Sequence, residues 1–217
     1  MERNYTWHDI VKRMEERRCP ICRLIDDRTH QKISVLQYQH VSDVEFRKRF
    51  IDSKGFCEHH TEKFYEQGDS INHAIVYGHL LDVELRRLED GSYSKKDKHT
   101  KPCMLCESEN TSEAIYLNIF QKAFNEADFK THYEDRGILC MHHHKIMLKR
   151  MKKAKNPDLK SYSSITGHKY QELLQDLKEI KRKNDFKHVN EKLTERETKA
   201  WQKARKLLVD QGEHRRK

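Results

Sequence analysis

Cysteine and histidine recur in this sequence at spacings that suit metal chemistry. Cys19-Pro20-Ile21-Cys22 and Cys103-Met104-Leu105-Cys106 are CxxC pairs. Gly55-Phe56-Cys57-Glu58-His59-His60 and Gly137-Ile138-Leu139-Cys140-Met141-His142-His143 each place a cysteine three residues before a histidine. A CxxC turn lets two sulfurs converge on one ion, and a Cys and a His three apart at a helix start share a face. Thiolates and imidazole are ligands for Zn²⁺, which takes four of them in a tetrahedron. Chain order predicts two Cys₃His sites, Cys19, Cys22, Cys57 and His60 in one and Cys103, Cys106, Cys140 and His143 in the other. An Fe–S cluster on the same residues is the alternative cofactor, and redox-active thiols are a third use. Closed four-ligand sites leave no position for substrate, which argues against catalysis at the metal. His59 and His142 sit beside the expected ligands and read as polar neighbours, although either could exchange roles with the next histidine. His144 has Thr61 in the corresponding place and reads as a bystander.

The motifs belong to a longer duplication. The CxxC pairs are 84 residues apart, and Cys57 and His60 precede Cys140 and His143 by 83. At the first offset Ile33, Leu36 and His40 fall on Leu117, Phe120 and Phe124; at the second Glu45, Phe46, Phe50 and Asp52 fall on Asp128, Phe129, Tyr133 and Asp135. A period of this length marks a structural unit used twice.

The elements that must hold the motifs are helical. Ile25, Thr29, Ile33, Leu36 and His40 form a stripe at helical spacing, matched by Leu117, Phe120 and Phe124. Ser42-Asp43-Val44-Glu45 resembles a capping box before a short helix, and Asn125-Glu126-Ala127-Asp128 repeats it. Further helices are predicted to start near Cys57 and Cys140. A longer one should carry Ile71, Ala74, Ile75, Gly78, Leu81, Leu85 and Leu88 on one apolar face, with Ile165, Tyr170, Leu173, Leu174, Leu177 and Ile180 as counterparts. Flanking helices carry Trp7, Ile10, Val11 and Met14 at one end, and Trp201, Ala204, Leu207 and Leu208 after Thr194 at the other. Both tryptophans are expected to pack the ends of the bundle.

The resulting reading is an all-α protein of two tandem helical repeats, each stapled by a Cys₃His metal site, with flanking N- and C-terminal helices. Repeat one spans 1–90, a polar linker 91–101, repeat two 102–186, and a C-terminal helix with a basic tail 187–217. Seven glycines, three prolines and 36% charged residues in 217 fit helices joined by short loops. Hydrophobic residues make up only 35%, so the core is thin and metal is expected to supply much of the folding free energy.

The formal charge is +9; two Cys₃His zinc sites, each contributing −1, would bring it to +7. Lys145, Lys149, Arg150, Lys152, Lys153 and Lys155 form a basic run after the second motif. Lys178, Lys181, Arg182 and Lys183 form another, and the chain ends Arg215-Arg216-Lys217. This basic C-terminal half suggests nucleic acid or a ribonucleoprotein as partner, through phosphate contacts, since few aromatics are interleaved. The bland alternative is a solvated mixed-charge surface. No apolar run has the length of a membrane span and no secretory signal is recognisable, so no membrane association and a cytoplasmic location are expected. Glycine-rich phosphate loops, HExxH and nucleophile elbows are absent from the sequence, and a non-enzymatic role is expected.

The order C-P-x-C, G-F-C-x-x-H, C-x-x-C, G-x-x-C-x-x-H resembles an uncharacterised family of helical prokaryotic proteins that carries the same twin motifs. The stretch Gly68 to Leu88, and the tail with Lys183-Asn184-Asp185-Phe186 and Trp201, are similar to it as well. The resemblance covers nearly the whole chain and implies the helical fold and the eight ligand roles. Met104 in place of a proline, and one extra residue between Gly137 and Cys140, depart from the first copy without removing a ligand. The family brings no established activity. A binding module contacting nucleic acid, an Fe–S redox or sensor protein, and a protein-interaction scaffold docking through its terminal helix therefore all stand as expectations.

Overall fold

A computed structural model describes residues 5–16, 18–40, 43–92, 102–188 and 190–208. Ser42, most of the 91–101 linker, the side chain of His40 and the tail beyond residue 208 lie outside these residues. The described elements are helices in the order α1 (Tyr5–Met14), α2 (Pro20–Val35), α3 (Val44–Asp52), α4 (Glu58–Gln67), α5 (Ser70–Glu89), α6 (Met104–Ala123), α7 (Ala127–Asp135), α8 (Met141–Lys153), α9 (Leu159–Lys183) and α10 (Glu195–Leu208). A π turn at Leu36–His40 extends α2, and a 3₁₀ turn at Phe186–His188 follows α9. None of the described helices is long and apolar enough to cross a membrane.

The chain divides into two compact units that do not follow the sequence halves. The central unit is Ile25–Glu113, and the terminal unit combines Met1–Leu24 with Ala114–Lys217. The cuts therefore fall inside α2 and inside α6.

In the central unit the stripe along α2 is buried as expected: Ile25, Thr29, Ile33 and Leu36 face inward. Of these, Ile33 and Leu36 join Phe46 and Phe50 of α3, Phe56, Phe64 of α4 and Val76 of α5 in one cluster. Helix α3 is capped by Asp43, whose carboxylate accepts from Glu45 N at 2.7 Å and Phe46 N at 3.3 Å. The cap is thus Asp43, one residue after the Ser42 that opens the expected box, and the matching start of α7 has Glu126, one residue after Asn125, at the cap without a side-chain bond. A glutamate carboxylate stands one methylene farther from its backbone than the aspartate that caps α3. Gly55 lies at φ +87, in the left-handed region where a side chain is disfavoured, and turns the chain from α3 into the Cys57 motif.

The long α5 departs from expectation. Its buried residue is Val76, while Ile71, Ala74, Gly78, Leu81, Leu85 and Leu88 face outward. The helix offers two apolar faces, and its packing against α3 selects the one carrying Val76, Tyr77 and Leu80.

The terminal unit is built on aromatics. Phe120, Phe124, Phe129, Tyr133 and Tyr162 are all fully buried. Their ring centroids approach to 5.1 Å for Phe120–Phe129 and 5.3 Å for Phe124–Tyr162, mostly edge to face. The buried Tyr133 hydroxyl meets the Thr166 hydroxyl at 2.9 Å. Helix α1 closes this core with Trp7, Ile10 and Met14, and Trp7 lies 5.8 Å from Phe129. On α9 the inward positions are Tyr162, Thr166, Leu173 and Asp176, while Leu174 of the expected stripe is exposed. Helix α10 opens with a reciprocal cap, Glu197 N to Thr194 Oγ1 at 3.2 Å and Thr194 N to Glu197 Oε2 at 2.7 Å. It packs on α9 through Ala200, Ala204 and Leu207. Trp201 is 55% exposed, so only Trp7 fulfils the packing role expected of both. The inward stripe of α10 runs 197, 200, 204, 207, and position 201 lies at its edge.

Phe120→Ala should lower unfolding free energy by about 3–5 kcal/mol, since it empties the centre of a closed aromatic core. Trp201→Ala should change it by less than about 0.5 kcal/mol, as expected of a surface position. Urea unfolding followed by circular dichroism compares the two.

Candidate metal centres

All eight predicted ligands are brought to two points, but not in the expected grouping. Cys19, Cys22, Cys140 and His143 form one set, and Cys57, His60, Cys103 and Cys106 the other. Each CxxC pair thus meets the Cys-His pair of the other sequence copy. The reach of the chain explains the correction. Sixteen residues of α2 carry the chain about 24 Å from the Cys19–Cys22 turn, and the nine residues of α3 cover only about 14 Å, so the helices by themselves do not bring Cys57 back. The Cys57–His60 turn meets the start of α6 instead. The twenty residues of α6 have the same effect on Cys140 and His143. The first set lies wholly in the terminal unit and the second wholly in the central unit.

Within the first set, His143 Nδ1 lies 3.3 Å from Cys19 Sγ, 3.1 Å from Cys22 Sγ and 3.2 Å from Cys140 Sγ. Cys22 and Cys140 sulfurs are 3.6 Å apart, and all four residues are buried. In the second set, His60 Nδ1 lies 3.2 Å from Cys57 Sγ, 3.6 Å from Cys103 Sγ and 3.4 Å from Cys106 Sγ. The Cys57 and Cys106 sulfurs are 3.6 Å apart and both residues are half-buried. In each set the four donor atoms lie within 4.8 Å of one another, so each could hold a metal ion.

Local structure prepares these positions. Cys57 and Cys140 are the caps of α4 and α8, with φ/ψ of −67/162 and −67/163. Cys19 and Cys103 immediately precede α2 and α6, and their carbonyls accept from Arg23 N and Glu107 N. Each set therefore sits where two helix N-termini converge, and the positive ends of both dipoles favour thiolates there. Gly137, before Cys140, has no room for a side chain: a Cβ would come within 2.9 Å of the Tyr133 backbone.

One residue of the second centre was not singled out from sequence. Glu109 is buried on α6, with Oε1 3.1 Å from His60 Nε2 and accepting from the Thr29 hydroxyl at 2.9 Å. A carboxylate behind a ligating imidazole fixes its orientation and raises its basicity. The signal was present in the register: position 109 corresponds, 84 residues on, to the core residue Ile25. His59 and His142 stack edge-on against the neighbouring histidines at 5.1 Å. His144 has a packing role, with Nδ1 2.9 Å from the buried Tyr162 hydroxyl, and burial lowers its pKa.

Protons compete for the same atoms. Burial disfavours the His60 cation, but hydrogen bonds with Cys103, Cys57 and Glu109 outweigh it and push the imidazole up to about 11. Hydrogen bonds with Cys106 and Cys57 pull the Cys103 thiol down, while those with Cys103 and Cys57 push Cys106 up. In the first set, burial and then bonding to Cys140 raise Cys22, whereas bonding to Cys19 and Cys22 lowers Cys140.

The chain belongs to a family of unknown function, DUF6062. The family pattern matches residues 6–101 and 84–211. A relative in Caldicellulosiruptor sp. strain Rt8B.4, described as an uncharacterized 23.9 kDa protein in the xynA 3′ region, is 29% identical over 198 residues, covering 90% of this chain and 96% of that protein. No solved structure matches.

Two outcomes test these centres. Because Cys22 and Cys140 share a set, the double variant Cys22→Ser/Cys140→Ser should lose one metal equivalent, no more than either single variant. Cys22→Ser/Cys57→Ser should lose two; elemental analysis counts them. A metal ion is held by deprotonated thiolates and neutral imidazole, so its binding should release protons at pH 7. The sign follows: affinity rises with pH and collapses in acid, measured by calorimetry in buffers of different ionisation enthalpy.

Proposed function

We propose that this is a non-enzymatic zinc protein, in which two Zn²⁺ ions held by Cys19, Cys22, Cys140 and His143 and by Cys57, His60, Cys103 and Cys106 staple a helical binding module. The observation that carries the reading is the convergence of four donors within 4.8 Å, twice. Two Zn–S bonds of about 2.3 Å at the tetrahedral angle set sulfurs about 3.8 Å apart, and a sulfur and an imidazole nitrogen about 3.5 Å apart. The histidine nitrogens lie 3.1 to 3.6 Å from the sulfurs, Cys22–Cys140 and Cys57–Cys106 are each 3.6 Å apart, and all donors of a set fall within 4.8 Å. A polynuclear Fe–S cluster distributes its terminal ligands over several irons and needs a wider set, which disfavours that alternative. Three cysteines and a histidine complete the tetrahedron, which fits a structural ion better than a catalytic one.

Structural zinc can supply on the order of 10 kcal/mol of folding free energy at neutral pH, comparable to the net stability of a whole domain. Protein purified without added metal should be colourless and hold close to two zinc ions per chain. A strong chelator should then remove helicity together with metal. A brown protein absorbing near ~400 nm would replace zinc by iron–sulfur, and helicity surviving complete metal loss would remove the structural role.

A second reading, contact with nucleic acid, draws support from α8, where Lys145, Lys149, Lys152 and Lys153 are exposed. The other basic cluster is less available. Arg182 pairs with Glu179 and Glu191, and Lys183 sits 2.8 Å from Glu197. Binding through α8 should weaken steeply between 50 and 200 mM salt. Lys145→Glu/Lys149→Glu should abolish a low-salt gel shift with RNA; no shift at low salt in the parent protein removes this reading.

A further inference from the structure

The outward face of α5 is built as a seam. Ile71, Ala74, Gly78, Leu81, Leu85 and Leu88 follow one another in alternating steps of three and four residues, the spacing of a coiled-coil contact line. Ile71 is 70% exposed, Leu81 60%, Leu85 48% and Leu88 61%. Ala74 and Gly78 are exposed as well, and a Cβ at Gly78 would meet nothing within 4 Å. An apolar line this continuous is costly to leave in water, at about 25 cal/mol for each Å².

We infer that α5 pairs with α5 of a second copy of this chain, antiparallel about a two-fold axis near Gly78 and Leu81. The sizes of the residues choose both the occupant and the direction. Run antiparallel, Ile71 lies opposite the partner's Leu88, Ala74 opposite the partner's Leu85, and Gly78 opposite the partner's Leu81. Every small residue meets a large one, so each layer fills. Run parallel, Gly78 and Ala74 face their own images and leave holes. The match is self-complementary, as an isologous two-fold contact requires.

Charge gives the same direction. The acidic residues beside the seam are gathered in its C-terminal half: Asp82, Glu84 and Glu89, with Asp82 and Glu84 already bound to Arg86 and Arg87 at 2.6 and 2.8 Å. The N-terminal half has no acidic residue beside the seam, where Ser70, Ile75 and Tyr77 stand, and it carries the positive end of the helix dipole. Antiparallel pairing lays the acidic half of each helix along the N-terminal half of the other. Parallel pairing would set Glu84 of each chain near the partner's Glu89, a like-charge contact on both sides.

The test uses the full zinc-loaded chain at ~100 μM, a concentration chosen to populate a micromolar dimer, with mass read by sedimentation equilibrium. The parent protein should approach twice its 26.2 kDa chain mass and dissociate on dilution. Leu81→Glu/Leu85→Glu should be monomeric with unchanged helicity and zinc content, since both side chains point to solvent in the single chain. Gly78→Leu separates the two directions: it overpacks the layer with the partner's Leu81 and should weaken an antiparallel dimer at least tenfold, whereas in a parallel pair it fills a void and strengthens it. A parent protein that stays monomeric at this concentration, a dimer that survives Leu81→Glu/Leu85→Glu, or one tightened by Gly78→Leu overturns the inference.

Discussion

The structure depends on sulfur and imidazole from distant parts of the chain reaching one point. Cys22 and Cys140 are 118 residues apart in sequence yet their sulfurs are 3.6 Å apart. Cys57 and Cys106 repeat this over 49 residues. Thiolates packed this closely repel one another, and burial adds to the cost; a shared cation removes both penalties. The opposed shifts within each set, one thiol pushed up and another pulled down, express the same crowding.

Around these points the apolar framework is divided. The terminal unit relies on a dense aromatic core in which Phe120, Phe124, Phe129, Tyr133 and Tyr162 exclude water completely. The central unit is smaller, and its longest helix keeps one apolar face outside. Its cysteines at positions 57 and 106 are half-buried, where all four donors of the other set are buried. Burial of Glu109 behind His60 compensates on the protein side, because the carboxylate and the Thr29 hydroxyl hold the imidazole in place. The two centres share a donor set and differ in what surrounds it.

The electrostatics of the surface follow the helices more than any single patch. Lys183 is drawn into the junction of α9 and α10, where it and the Thr194 backbone hold Glu197 below the usual carboxylate range. Arg182 is shared between Glu179 and Glu191. Two charges of that basic cluster are therefore engaged where α9 meets α10, while Lys178, Lys181 and the lysines of α8 remain exposed.

Sequence alone determined what depends on neighbours in the chain. The eight donors, the helix starts at Cys57 and Cys140, the stripe Ile25, Thr29, Ile33 and Leu36, and the all-helical class follow from spacing, capping and residue type, all local properties. Tertiary structure decided what depends on distance through space. Helix packing decided which CxxC meets which Cys-His pair, because α2 and α6 each carry the chain away from the CxxC that opens them. It also decided that α5 buries Val76 and not Leu81, that Trp201 faces out, and that Glu109 stands behind His60. In each of these the residue's type allowed either outcome, and the position of a neighbouring helix chose between them.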